Sequence, residues 1–362
     1  MSRVKKLIRD EIQALSAYHV PASGDMIKLD AMENPYVWPA VAREAWSDSL
    51  RDLPINRYPD PAAQLVKDGL RRLMGVDDKY DLLLGNGSDE IIQLLAMALA
   101  KPGATILAPE PGFVMYKMIA TFCGLNYVGV PLQNDFELDR DAMLSAVIAH
   151  EPALVFLAQP NNPTGNLWDE KTLTDIVEAA PGFVVIDEAY MAFTDADHID
   201  WLDRYEHVLI MRTLSKVGLA GLRLGLLIGN KECLHELDKL RLPYNINVLT
   251  QASALFALEH YEMMVIQTEQ IRVDRVMLQK DLASLPGVTV FPSEANFVLV
   301  RTPAGQARNW FEGLKQRKIL IKCLDGGHPL LKDCLRITVG TTEQNSALMH
   351  ALREIAQSGA VH

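Results

Sequence analysis

Between residues ~80 and 230 the chain alternates short apolar runs with longer stretches whose apolar positions recur at helical spacing. The runs 82–84, 105–108, 127–130, 154–158, 183–186, 208–211 and 224–228 predict seven strands, several of them apolar on both faces. Helical patterns at 89–100, 114–123, 139–149 and 169–179 fill many of the gaps. Strands without a polar face belong to a mostly parallel sheet covered on both sides. After a long helical stretch at 247–285 the pattern changes. Strands at 288–291, 297–301, 319–322 and 335–339 interleave with helices at 304–316 and 343–357, and Thr341-x-x-Gln344 offers a capping box for the last helix. At the N-terminus, Val4, Ile8, Ile12 and Leu15 mark one face of a short helix.

The expectation is an α/β protein with a large domain, built on a mostly parallel seven-stranded sheet flanked by helices, and a smaller α+β domain. Residues 1–45 form an arm and a segment packing with the small domain, 46–260 the large domain and 261–362 the small one. No repeat and no Gly/Ser linker is visible, so the domains share a helix and an interface.

Composition supports two cores, since 362 residues exceed the ~250–300 at which single cores stop growing. A net charge of −11 argues against nucleic acid and anionic membranes as partners, so any phosphate must be bound locally. The longest apolar stretch, 91–100, includes Gln93 and falls far below the ~20 residues of a membrane span. Residues 8–15 are broken by Arg9, Asp10, Glu11 and Gln13 and lack the apolar core of a signal peptide. Cys123, Cys233, Cys323 and Cys334 are scattered, which reads as reduced thiols in a cytoplasmic protein. No metal site is expected.

The chemistry gathers at strand ends, where ligands of open α/β sheets collect. Past the run at 208–211 comes Thr213-Leu-Ser-Lys216-Val-Gly-Leu-Ala-Gly-Leu-Arg223, in which two hydroxyls and a guanidinium flank a lysine. A reactive amine beside a phosphate site suggests pyridoxal phosphate; the plainer reading is a solvated loop lysine. After 82–84, Gly85-Asn-Gly87-Ser88-Asp89-Glu90 opens a helix whose free N–H groups suit a phosphate, although an ordinary turn also explains it. Gln159-Pro-Asn161-Asn162-Pro163-Thr164-Gly165 places amides at the sheet edge. Asp187 ends a buried strand and needs a cation, either a protonated ring nitrogen or a structural arginine.

Taken together these strings resemble the fold-type-I pyridoxal-phosphate aminotransferases. Asn162, Asp187, Tyr190, Lys216 and Arg223 stand in the order in which that family carries Asn-Pro-x-Gly, Asp-x-x-Tyr, Ser-Lys and a following arginine. The resemblance implies that Lys216 is the Schiff-base lysine and that Asp187 pairs with the ring nitrogen. Asn162 and Tyr190 would bond the ring oxygen, while Gly87, Ser88, Asp89, Thr213, Ser215 and Arg223 would hold the phosphate. Phe113 aligns with the aromatic that stacks on the ring, with Tyr116 as a rival. Arg336 looks like the family's carboxylate-binding arginine, its alternative being a surface arginine on an edge strand. Arg57-Tyr58-Pro-Asp60 resembles a loop whose tyrosine reaches the neighbouring subunit's cofactor, which implies a homodimer with shared sites.

Three segments resemble the histidinol-phosphate aminotransferase subfamily: Leu29-Asp-Ala-Met-Glu-Asn34-Pro-Tyr36, Tyr18, and Arg336-Ile-Thr-Val-Gly-Thr-Thr-Glu-Gln-Asn345. Asp30 and Met32 depart from its pattern. This implies L-histidinol phosphate and 2-oxoglutarate or glutamate as substrates, with Tyr18, Asn34 and Arg336 as substrate contacts and Lys216 as general base. The competing readings are an aminotransferase for aromatic or aliphatic amino acids and a lyase resembling threonine-phosphate decarboxylases. A cofactor-sensing regulator is disfavoured, because no helix-turn-helix segment or basic face precedes the domain.

Overall fold

A strand buried on both faces sends successive side chains into two different cores, and the large sheet is built this way. The computed structural model describes residues 2–17 and 21–359. Its strands are β1 (Ile27–Lys28), β2 (Tyr80–Asn86), β3 (Thr105–Glu110), β4 (Asn126–Pro131), β5 (Leu154–Ala158), β6 (Phe183–Asp187), β7 (Val208–Thr213) and β8 (Leu224–Asn230). They continue with β9 (Thr289–Val290), β10 (Phe297–Arg301), β11 (Ile319–Leu320), β12 (Lys322–Cys323) and β13 (Cys334–Thr338).

The seven-stranded sheet runs β2-β8-β7-β6-β5-β3-β4, with β8 antiparallel to both neighbours and the other pairs parallel. Val184, Ile186, Ile210 and Leu226 face one core; Val185, Leu209, Met211 and Leu227 face the other. Leu173 and Ile176 of the helix Glu170–Ala179 close the first core, and Ile91 and Leu95 of the helix Gly87–Leu99 close the second. The seven expected strands and four expected helices of this region are present, their ends within two residues of the predicted ones.

The second sheet, β12-β13-β10-β9, is antiparallel throughout. Its core combines Phe297, Val298 and Ile337 with Leu29 and Met32 from the N-terminal segment and Phe193 from the loop after β6. The expected strand at 319–322 is split. β11 pairs in parallel with β1, whereas β12 pairs with β13. The partner of β11 lies near the other end of the chain, which a local apolar run does not reveal.

The helical stretch at 247–285 is two helices, Val248–Glu259 and Glu262–Ala283. The second begins in the large core with Met264 and ends in the small one with Ile271, Leu278 and Leu282, so one helix spans both. At the N-terminus, the single helical face expected from Val4, Ile8, Ile12 and Leu15 is two short helices, Arg3–Leu7 and Asp10–Gln13, separated by extended Ile8 and Arg9. Val4, Leu7 and Ile8 are exposed, and helices this short recover little of their nucleation cost without burial. The capping box forms as predicted: Thr341 N donates to Gln344 Oε1 at 3.1 Å and Gln344 N to Thr341 Oγ1 at 3.3 Å. No helix among the described residues is long and apolar enough to cross a membrane.

The parallel strands deliver Asn86, Glu110, Ala158, Asp187 and Thr213 to one edge, where antiparallel β8 begins at Leu224. From β3 the chain turns outward to β4 and then returns to the opposite side as β5, which opens a crevice between β3 and β5. The helix Gly87–Leu99 starts hard against β8, and a Cβ on Gly225 would fall 2.6 Å from the Gly87 carbonyl carbon and 2.7 Å from Ser88 N. Both neighbours are backbone and have no room to give. Gly225→Ala is therefore expected to cost about 1–3 kcal/mol, read as a lower urea midpoint at unchanged m-value.

Candidate active site

The edge of the sheet holds a cavity whose one end is an oxyanion cradle. Ser88 and Asp89 bring the first turn of the helix Gly87–Leu99 into it, with unpaired N–H groups and the positive end of the helix. Thr213, Ser215 and Arg223 close the cradle. Ser215 N donates to Thr213 Oγ1 at 3.1 Å, the two hydroxyls lie 3.0 Å apart, and Arg223 Nη1 donates to Ser215 Oγ at 3.3 Å. Arg223 adopts the left-handed conformation with φ 51°, and its Nη2 is 3.4 Å from Asp89 Oδ2. Its guanidinium lies against Gly87, where φ is +77° and a Cβ would lie 2.5 Å from Nη2.

At the cavity floor, Asp187 is 5% exposed. Its Oδ2 accepts from the Tyr116 hydroxyl at 2.5 Å and its Oδ1 from Ala189 N at 3.1 Å. Burial nevertheless pushes its pKa up to about 6, against the lowering effect of those two donors. A buried arginine does stand nearby, but it serves the next residue. Arg212 Nε donates to Glu188 Oε2 at 2.8 Å, and His198 N and Nδ1 lie 2.9 Å from Glu188 Oε1. The structural ion pair considered as the alternative for Asp187 is thus made by Glu188.

Phe113 lines the cavity. Tyr116 is fully buried and stacks on Phe156 at 4.2 Å and 4°, so its ring belongs to the core and only its hydroxyl serves the site, by holding Asp187. Burial, with the neighbouring Asp187 charge, holds the phenol pKa well up, and the proton stays on Tyr116. That role was not read from the sequence.

Lys216 sits in the turn that follows β7, with Nζ 3.4 Å from Ala31 O and 5.8 Å from the Tyr190 ring centre. Burial, then the Arg336 charge, lowers its pKa to about 8; Arg223 adds to the shift and Glu33 opposes it. Asn162 joins the two sheets, since Nδ2 donates to the Tyr190 hydroxyl at 3.1 Å and Oδ1 accepts from Arg336 Nη1 at 2.6 Å. Arg336, on β13, also donates to Asp30 O at 2.9 Å and lies 5.5 Å over the Phe297 ring. It is 8% exposed, not a surface arginine. Beyond it opens a chamber of about 640 Å³ that shares Met32, Phe113 and Asn162 with the first cavity and is also lined by Lys322, the cross-strand partner of Arg336.

Asn34 lies outside the cavity, Tyr58 was expected at the site of a neighbouring copy, and Tyr18 is not described. Asn34, expected to touch substrate, donates to Val217 O at 3.0 Å and Gln267 Oε1 at 2.9 Å and accepts from Tyr36 N at 2.8 Å. It braces the turn after Lys216 and does not line the cavity. Tyr58 is 79% exposed, stacks on Tyr244 at 4.4 Å and does not line the cavity of its own chain. Tyr18 lies outside the described residues.

The profile of the family described as aminotransferase class I and II matches residues 24–352. The chain belongs to the class I and II aminotransferases. Over 351 residues it is 52% identical to histidinol-phosphate aminotransferase 2 of Nitrosococcus oceani, covering 97% of this chain and 98% of the relative. It is 50% identical to histidinol-phosphate aminotransferase 1 of Ralstonia nicotianae, with 96% and 93% covered. A solved histidinol-phosphate aminotransferase from Sinorhizobium meliloti, in complex with pyridoxal 5'-phosphate, matches with a TM-score of 0.87 at 25% identity, covering 97% and 98%. The L-threonine-O-3-phosphate decarboxylase of Porphyromonas gingivalis shares the fold, with a TM-score of 0.77 at 22% identity and coverage of 92% and 100%.

Aminotransferases of this family use pyridoxal phosphate, and the cavity of this one fits it. The oxyanion cradle suits the phosphate, the buried Asp187 carboxylate suits a protonated ring nitrogen, and a lysine with depressed pKa suits the aldehyde. The raised Asp187 pKa has a consequence for the apoprotein. Folding favours the protonated acid, so its contribution to stability is present below pH ~4 and is lost as pH rises through ~6. Unfolding of apoprotein followed by denaturant titration should show Asp187→Asn gaining on wild type across that window, by up to about 3 kcal/mol above it. A difference independent of pH would contradict this.

Proposed function

We propose that this aminotransferase transfers the amino group of L-histidinol phosphate to 2-oxoglutarate, giving imidazole acetol phosphate and L-glutamate in histidine biosynthesis. The observation that carries the substrate is near-full-length identity of about one residue in two with enzymes of that name. The decarboxylase alternative has only a shared fold at 22% identity behind it.

In this reading Ser88, Asp89, Thr213, Ser215 and Arg223 hold the cofactor phosphate, Asp187 the ring-nitrogen proton, and Asn162 and Tyr190 the ring oxygen, with Phe113 over the ring face. Bound pyridoxal phosphate supplies an electron sink that allows the substrate's α-proton to leave. Lys216 Nζ takes and returns that proton; a pKa near 8 leaves part of the amine neutral at neutral pH. Arg336 offers a planar fork to an oxyanion, the phosphate of one substrate or a carboxylate of the other. Its place on the small sheet means that a substrate bound there bridges both sheets and keeps water from Lys216.

The test is the absorbance of holoenzyme titrated with L-histidinol phosphate without a keto acid. The yellow colour should disappear and return on addition of 2-oxoglutarate, and Lys216→Ala should not complete the cycle. Holoenzyme that stays yellow would send the search to other amines.

The same reading makes the enzyme a cytoplasmic homodimer. The four free cysteines accord with a reducing compartment. The exposed Tyr58, which does not line its own cavity, accords with a reach to the cofactor phosphate of a second copy. Tyr58→Phe should retain cofactor poorly. Mixing it with Lys216→Ala should then restore activity at limiting cofactor, because a mixed dimer has one site with both native residues; unrestored mixtures would argue against shared sites.

A further inference from the structure

The chamber beyond Arg336 carries a second polar wall that the reaction as described leaves unused. Glu110 ends β3 at the crevice, and its carboxyl lies over Gly129 of the neighbouring β4, where a Cβ would fall 2.3 Å from Glu110 Cδ. Lys117 Nζ is 3.8 Å from Glu110 Oε1. The Tyr127 phenol donates a hydrogen bond to the same carboxylate, and burial, then the Glu110 charge and that bond, push the phenol pKa up. His328 faces them across the chamber. Its Nδ1 accepts from Leu330 N at 3.2 Å, and burial lowers its pKa, so it is a neutral wall and not a counter-cation.

Among the described residues the chamber has one other carboxylate in its lining, Asp325, and that one is engaged. It accepts from Asp333 N at 3.0 Å and pairs with Arg308 Nε at 3.2 Å. Glu110 is held by the Tyr127 phenol, but its Lys117 contact exceeds hydrogen-bond length and a carboxylate accepts about four hydrogen bonds. It has capacity left for a donor inside the chamber.

Resting on the histidinol-phosphate reading, we propose that Glu110 is a specificity-determining residue whose carboxylate accepts the ring N–H of the substrate's imidazole. A substrate with its oxyanion on Arg336 and its amine at Lys216 has its third arm left for the rest of the chamber, where Glu110 waits. An azole ring brings an N–H donor there. A phenyl ring of similar size brings none and strips water from a charged carboxylate without replacing it, which penalises aromatic amino acids. Glutamate has no ring to offer, so its half-reaction does not use Glu110.

The experiment compares single-turnover half-reactions of holoenzyme with L-histidinol phosphate and with L-glutamate, followed by cofactor absorbance. Glu110→Leu should lose about 10- to 100-fold in kcat/KM for L-histidinol phosphate, the loss of one charge-assisted hydrogen bond, and keep its rate with L-glutamate. Glu110→Gln, which retains an acceptor oxygen, should recover part of the loss. Gly129→Ala, which displaces the carboxyl without removing its charge, should reproduce the selective defect. Equal losses in both half-reactions, or none in either, would overturn the assignment. Wild-type enzyme that reacts with L-glutamate but not with L-histidinol phosphate would overturn the substrate reading itself, a result obtained before any variant is made.

Discussion

A carboxylate buried at the end of β6 organises this protein. Asp187 leaves solvent because β6 is central in the large sheet, and burial makes its charge costly even with Tyr116 and Ala189 donating to it. The adjacent carboxylate shows how a chain compensates such a charge internally. Glu188 is as deeply buried but meets Arg212 and His198. Two consecutive acids therefore take different parts: Glu188 ties the ends of β6 and β7 together, while Asp187 lines the cavity.

The second organising effect is the gathering of positive charge around Lys216. Arg336 arrives from the small sheet and Arg223 from the start of β8, and together with burial they disfavour the ammonium. Both sheets therefore contribute to the lowered pKa of the lysine. Asn162 makes the dependence concrete, since its two amide ends touch Tyr190 on one side and Arg336 on the other. A substrate oxyanion at Arg336 would offset one of the charges that lower the lysine's pKa, which couples binding to proton transfer.

Much of the site was legible because it is local. Asp187 directly follows an apolar run, Asn162 and Lys216 lie a few residues past one and Arg223 immediately precedes one, so continuous apolar runs placed them near strand ends before any tertiary contact was known. The partners of Asn34 were not legible for the complementary reason: an asparagine in a polar segment reads alike whether it meets a ligand or Val217 O and Gln267. Tyr116 was a rival to Phe113 because the two lie on adjacent faces of one turn. Only the stacking of Tyr116 on Phe156 separates them. The pairing of β1 with β11, and the Arg212–Glu188 pair, join residues whose association leaves no mark on local periodicity.

The sequence by itself determined the seven-strand alternation, the helices that cover it, the capping box on the last helix and the strand-end strings that name the cofactor chemistry. All of these follow from backbone geometry and side-chain spacing within a few residues. The tertiary structure alone decided which buried carboxylate keeps an internal partner, which aromatic faces the cavity, how far Lys216 is depressed and which acid lines the chamber. Those depend on distances between segments far apart in the chain, and charge interactions change steeply with distance and burial.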